Sequence, residues 1–136
     1  MADVPKPISI FMCERVLRDV LRPDAITLVN IHSTMSVQAF PAIVPLVFAY
    51  AEVTGSNQEF TYQFKFVDNK NEVMAVSNVQ KVAASPNKHL SHKLIGAFQG
   101  LVFPDQGNFN LLLALDGKDV AAMDFQVLMV TQETVA

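Results

Sequence analysis

The chain has no tryptophan, one cysteine and five glycines, and charged residues make up only 17% of its 136 positions. The lone Cys13 excludes an internal disulfide, and the leading MADVPKP has neither the basic nor the apolar region of a secretory signal, so the expected setting is reducing and cytoplasmic. Low charge combined with 51% hydrophobic residues excludes a disordered chain. Ten Lys and Arg against 13 Asp and Glu give a net charge of -3 with no basic run, from which we expect no nucleic-acid partner. No uninterrupted apolar stretch approaches the ~20 residues of a membrane helix, and Pro41 and Pro45 break the most apolar region, so no membrane partner is expected either. The few glycines are dispersed and build no phosphate-binding loop.

What is present is an alternation of apolar and polar residues. Phe109, Leu111, Leu113 and Leu115 recur at every second position, Asp116-Gly117-Lys118 interrupts, and Met123, Phe125, Val127 and Met129 resume the period. That is two half-buried strands joined by a turn. A two-residue Asp116-Gly117 loop would pair Leu115 with Lys118 and Phe109 with Asp124, and bury a charge. A three-residue loop pairs Phe109 with Phe125, Leu111 with Met123 and Leu113 with Ala121, so an odd loop is expected, with Gly117 or Lys118 at positive φ. The opposite face then carries Asn108 with Gln126, Asn110 with Asp124, Leu112 with Ala122 and Ala114 with Val120, an apolar end on a wet face that asks for cover.

Elsewhere the same grammar recurs. Ile8 to Cys13 and Leu46 to Val53 are apolar on both faces, as buried strands are. Ala25 to Ile31 is rich in β-branched residues, and a weak alternation follows to Phe40-Pro41, giving one long strand or two with a bend. Phe60, Tyr62, Phe64 and Phe66 form an aromatic ladder, which reads as core rather than as a stacking platform for a ligand. Asp68 to Asn71 is turn chemistry, so Glu72 to Val82 should return antiparallel, and Gly96 and Gly100 inside Leu90 to Phe103 mark bulges or close backbone approach. Glu14 to Arg22 is ambiguous: Val16, Leu17, Val20 and Leu21 share a helical face, so a short helical segment is expected near 14–22. About seven to nine strands, with no helix long enough to connect parallel neighbours, predict an all-β fold, an immunoglobulin-like or related two-sheet antiparallel β-sandwich. One domain is expected over 1–136, with flexible tails at 1–7 and 131–136.

Four stretches carry a resemblance: FMCERVLRD; AITLVNIHSTMSV followed by Phe40-Pro41; LVFAYAEVTG before FTYQFKFVD; and LVFPDQGNFNLLLALDG before MDFQV. They make the chain similar to a family of small uncharacterised bacterial and phage proteins, a domain of unknown function. The resemblance implies one β-sandwich domain of about this length and no transferable activity. The connecting LRPD lacks the glycine and lysine that many relatives place there, which sets the shape of that connection apart.

Chemistry-bearing residues are sparse. His89 and His92 are three apart, too few ligands for a metal site. His32-Ser33 near Cys13 or Asp24 lacks the frame of a nucleophile elbow, and Cys13 reads as a small buried hydrophobe. Glu14, Arg15, Arg18 and Arg22 read as a solvated face or as the polar rim of a partner site. We expect no enzyme, no cofactor and no metal, but an interaction or assembly protein that self-associates or binds another protein. The expected interface is Leu112, Ala114, Val120, Leu128 and Val130. The alternative is a carrier of a small apolar ligand between the sheets, lined by Phe48, Tyr50, Phe60, Phe64 and Phe98.

Overall fold

The apolar pairing across the last hairpin is the register of the folded protein, as seen in a computed structural model that describes residues 5–22, 25–84 and 90–130. Phe109 pairs with Phe125, Leu111 with Met123 and Leu113 with Ala121 between β9 (Gly107–Leu115) and β10 (Lys118–Met129). The loop, however, has two residues, not three. Asp116 and Gly117 both take positive φ, 50° and 80°, the pairing that a two-residue hairpin turn of primed type requires. The extra residue sits instead in a bulge at Val120, between the pairs Asp119–Ala114 and Ala121–Leu113. Turn chemistry and core burial are thus both satisfied, each by its own device.

The described residues form ten strands and no helix, a little more than the expected number because short strands divide the weaker stretches. One sheet has four strands in the order β2 (Ile26–His32), β1 (Pro7–Arg18), β4 (Ala42–Val53) and β8 (His92–Phe103). The other has six: β3 (Thr34–Val37), β10, β9, β5 (Phe60–Val67) and β6 (Val73–Val76), with β7 (Gln80–Val82) also on β5. The return after Asn71 is therefore two short strands, parted where Ser77 Oγ accepts the Phe64 N–H at 2.9 Å. The stretch from Ile26 to Val37 is two strands in different sheets, and β3 joins β10 in parallel, the exception to an otherwise antiparallel set.

The helical expectation at 14–22 fails. Residues up to Arg18 are strand, because seven residues of β1, Met12 to Arg18, lie opposite β2 in one unbroken register. A ladder of backbone hydrogen bonds outweighs two i,i+4 ion pairs worth ~0.2–0.5 kcal/mol each. Lys6 and Pro7, placed by the sequence in a flexible lead, are tied down: Pro7 opens β1, and the Lys6 N–H donates to Thr54 Oγ1 at 2.8 Å. Pro5 before them is buried, and the remainder of the expected tails, residues 1–4 and 131–136, lies outside the described residues.

Between the sheets lies an aromatic core. Phe98 and Phe103 from β8 meet Phe66, Phe109 and Phe125 from the other sheet, edge to face at 4.6 Å between Phe66 and Phe98 and 4.9 Å between Phe103 and Phe109. Phe60, Phe64 and Phe66 are buried as the ladder predicts, and Tyr62 donates its hydroxyl to the Ile95 carbonyl at 3.0 Å. Gly96 faces Phe64 so closely that a Cβ would stand 2.6 Å from Cδ2 of the ring. Gly100, at φ 65°, lies across from Pro45, and there β4 and β8 both exchange their inward-facing residues.

Candidate interaction surface: the projecting hairpin and the outer sheet faces

The pairing of β1 with β4 ends at Cys13–Phe48, whereas its pairing with β2 runs on to Arg18–Ile26. Residues 14–18 and 26–30 therefore leave the body as a two-stranded arm. Its end is built with care. Asp19 Oδ1 accepts the N–H groups of Leu21 at 2.8 Å and Arg22 at 3.1 Å, Oδ2 meets the Arg22 guanidinium at 3.2 Å, and the Asp19 N–H closes on the Ala25 carbonyl at 3.1 Å. The Leu21 N–H, then the Arg22 side chain and N–H, hold the Asp19 carboxyl below its ordinary 3.8. What this turn presents is Val20, 93% exposed, and Leu21, 90% exposed. In sequence the stretch around them carries Arg15, Arg18 and Arg22 against Glu14, Asp19 and Asp24, a balanced set.

Where the arm leaves β4, it opens a cleft of about 680 Å³. Met35, Val37, Val44 and Pro45 give it apolar walls, and Glu14 and His32 stand on the arm side. The Glu14 carboxylate accepts from Asn30 Nδ2 at 2.8 Å and lies 3.6 Å from His32 Nε2. Ser33 belongs to another groove, and Cys13 is fully buried on the outer side of β1, its thiol donating to the Arg15 carbonyl at 3.3 Å. Burial raises the Cys13 pKa, while that hydrogen bond lowers it by less. His32, Ser33 and Cys13 are thus not brought together, and Asp24 lies outside the described residues. His92 accepts the Ser56 N–H at 3.2 Å and packs edge-on to Phe60, while its sequence companion His89 lies outside the described residues.

The five residues expected to form an interface do not make one patch. Ala114 is 3% exposed, set between Gln63 of β5 and Asp119 of β10, and Leu112 is half-buried between Lys65 and Ala122. Lys65 Nζ reaches Asp119 Oδ1 at 2.7 Å, an ion pair that passes over β9 and supplies the missing cover from within the chain. Val120, displaced by the bulge, packs against the core. Leu128 and Val130 stay exposed, at 41% and 47%, beside β3 at the other end of the sheet.

The residues expected to line a ligand cavity are divided as well. Phe60, Phe64 and Phe98 fill the core, while Phe48 and Tyr50 lie on the outer face of β4, the face shared with Cys13 and Phe11. A second open groove, of about 530 Å³, is floored by Asn108, Asn110, Asp124 and Gln126, the wet face that the hairpin register predicts. Among the described residues no three of His, Cys, Asp and Glu gather as metal ligands would. No helix there is long and apolar enough to cross a membrane. The arm is hidden in the sequence because Val20 and Leu21 fit a buried helical face. The signal that could have found it is their position between Asp19 and Arg22, just ahead of Pro23-Asp24.

Residues 8–128 match the model of a family of unknown function, DUF6941. No curated protein matches the chain. A solved structure, Pseudomonas fluorescens alkylpurine DNA glycosylase AlkC bound to DNA containing an abasic site analog, is similar to it with 7% identity and a TM-score of 0.45. The match covers 71% of this chain and 28% of that one. The expectation of no nucleic-acid partner, which rested on a missing basic run, is corrected on this finding, since the similar structure is of a protein bound to DNA. At that TM-score the likeness carries no argument for what this chain itself binds.

Proposed function

The chain belongs to that family, which assigns it no activity, and we propose that it is a non-catalytic β-sandwich that works through its surface, as an interaction or assembly protein that self-associates. One observation carries this reading: a hairpin arm whose turn is fixed by Asp19 holds Val20 and Leu21 almost fully in water. Exposed single hydrophobes are ordinary, but two adjacent ones on a braced, projecting turn form a local surface that burial would stabilise by ~1.5–3 kcal/mol per side chain. Leu17, on the strand that enters the turn, and Ile31, at the base of the arm, are exposed as well. A cytoplasmic setting fits the free Cys13. Native mass spectrometry of the purified chain tests the proposal. A multimer without added mass is expected; a single chain, alone or carrying a small bound molecule, would overturn it.

A further inference from the structure

We propose, resting on the self-association reading, that two copies of this chain join by pairing their β2 strands edge to edge, antiparallel, about a two-fold axis at Leu28. Sheet edges expose unpaired backbone groups, and folded proteins guard them with short strands, charges, bulges or cover. The six-stranded sheet follows this rule, with edges of four residues in β3 and β6. On the four-stranded sheet, β8 carries Lys93 and the left-handed Gly100, and β6 lies alongside it across a shared groove of about 250 Å³. β2 carries the fewest of these guards among the described residues, a left-handed Asn30 near its end. Among the described residues it pairs with β1 alone, and its Ile26-Thr27-Leu28-Val29 holds no charge and no proline. The arm also carries this edge clear of the body, so two bodies can lie at opposite ends of the joined strands.

The register follows from side-chain direction and charge. Paired residues must share a face, so the axis passes through a residue. With Leu28 on the axis, Ile26 faces the partner's Asn30 and Thr27 faces the partner's Val29. On β1, Val16 pairs with Leu28 and Arg18 with Ile26, while Glu14 lies across from Asn30, between the pairs Cys13–Ile31 and Arg15–Val29. The central row across four strands is then Val16, Leu28 and their copies, all apolar. The rows on either side end in Glu14 of one copy and Arg18 of the other. The Glu14 carboxylate already leans over β2 to Asn30, toward the seam. An axis at Val29 would instead put Arg15 at both ends of the central row, like charge toward like. Asn30, at φ 54°, ends the regular edge, so the pairing spans Ile26 to Asn30 of each copy and closes as a dimer.

Disulfide trapping of the full chain tests this, with the buried Cys13 left in place as an internal control. Directly paired Cα atoms are ~4.5–5.5 Å apart, within disulfide reach. Leu28→Cys is expected to cross-link with itself under mild oxidation. Thr27→Cys and Val29→Cys are expected to cross-link only when mixed. Sedimentation of the same samples separates the two claims: a two-chain mass without these cross-links overturns the β2 pairing and leaves self-association standing, while a one-chain mass overturns both.

Discussion

Gly96→Ala tests the core at its tightest point. The new Cβ would lie 2.6 Å from Cδ2 of Phe64 and 3.4 Å from Cγ and Cε2. Ordinary carbon contacts begin near ~3.5 Å, so the ring must move by roughly 1 Å. Phe64 is fully buried, edge-on to Tyr62 with centroids 5.9 Å apart, and Tyr62 is itself anchored to the Ile95 carbonyl beside Gly96. Overpacking of this kind costs ~1–3 kcal/mol, against ~0.4–1 kcal/mol gained by restricting the unfolded chain. The net expectation is a loss of ~1–2 kcal/mol, read as a lower urea midpoint at unchanged slope and a melting temperature lower by ~3–8 °C. Phe64→Leu in the Gly96→Ala background should recover part of the loss, giving a coupling of at least ~0.5 kcal/mol in a double-mutant cycle. A Gly96→Ala protein as stable as the parent, or more so, would refute this close packing of Phe64 on β8.

The remaining predictions are local. Gly117→Ala meets no atom within 4 Å but must hold φ at 80°, so chemical denaturation should show a loss of ~1–2 kcal/mol from backbone strain alone. Cys13 should resist a thiol reagent at mildly alkaline pH and react at once in denaturant, because burial raises its pKa and shields the sulfur; rapid labelling of the folded chain would contradict its placement. The Asp19 carboxyl, depressed by the hydrogen bonds of the turn, should titrate below 3.8 by NMR. Its contribution to the turn is complete above the unfolded pKa and disappears as pH falls through the folded one, so exchange of the Leu21 and Arg22 amides should quicken only in strong acid.

The sandwich was legible because apolar alternation answers the question of burial directly. Phe109 could face only Phe125 without sinking Asp124 into the core, and that constraint set the register even though the loop length inferred with it was wrong. A bulge leaves no periodic mark, since Val120 reads as one more apolar residue in a run. The arm was illegible for a different reason. In Glu14 to Arg22 the helical and extended patterns coexist, and what decides between them is a partner strand whose pairing is not encoded locally. The expected interface failed at Ala114 because a side chain from another strand, Lys65, extends over it to Asp119.

Self-association is the central claim, and sedimentation equilibrium of the unmodified chain over a range of micromolar concentrations tests it most directly. One chain weighs 15.0 kDa. A mass that rises with concentration toward twice that value is the predicted result, and a mass fixed at one chain throughout would contradict it.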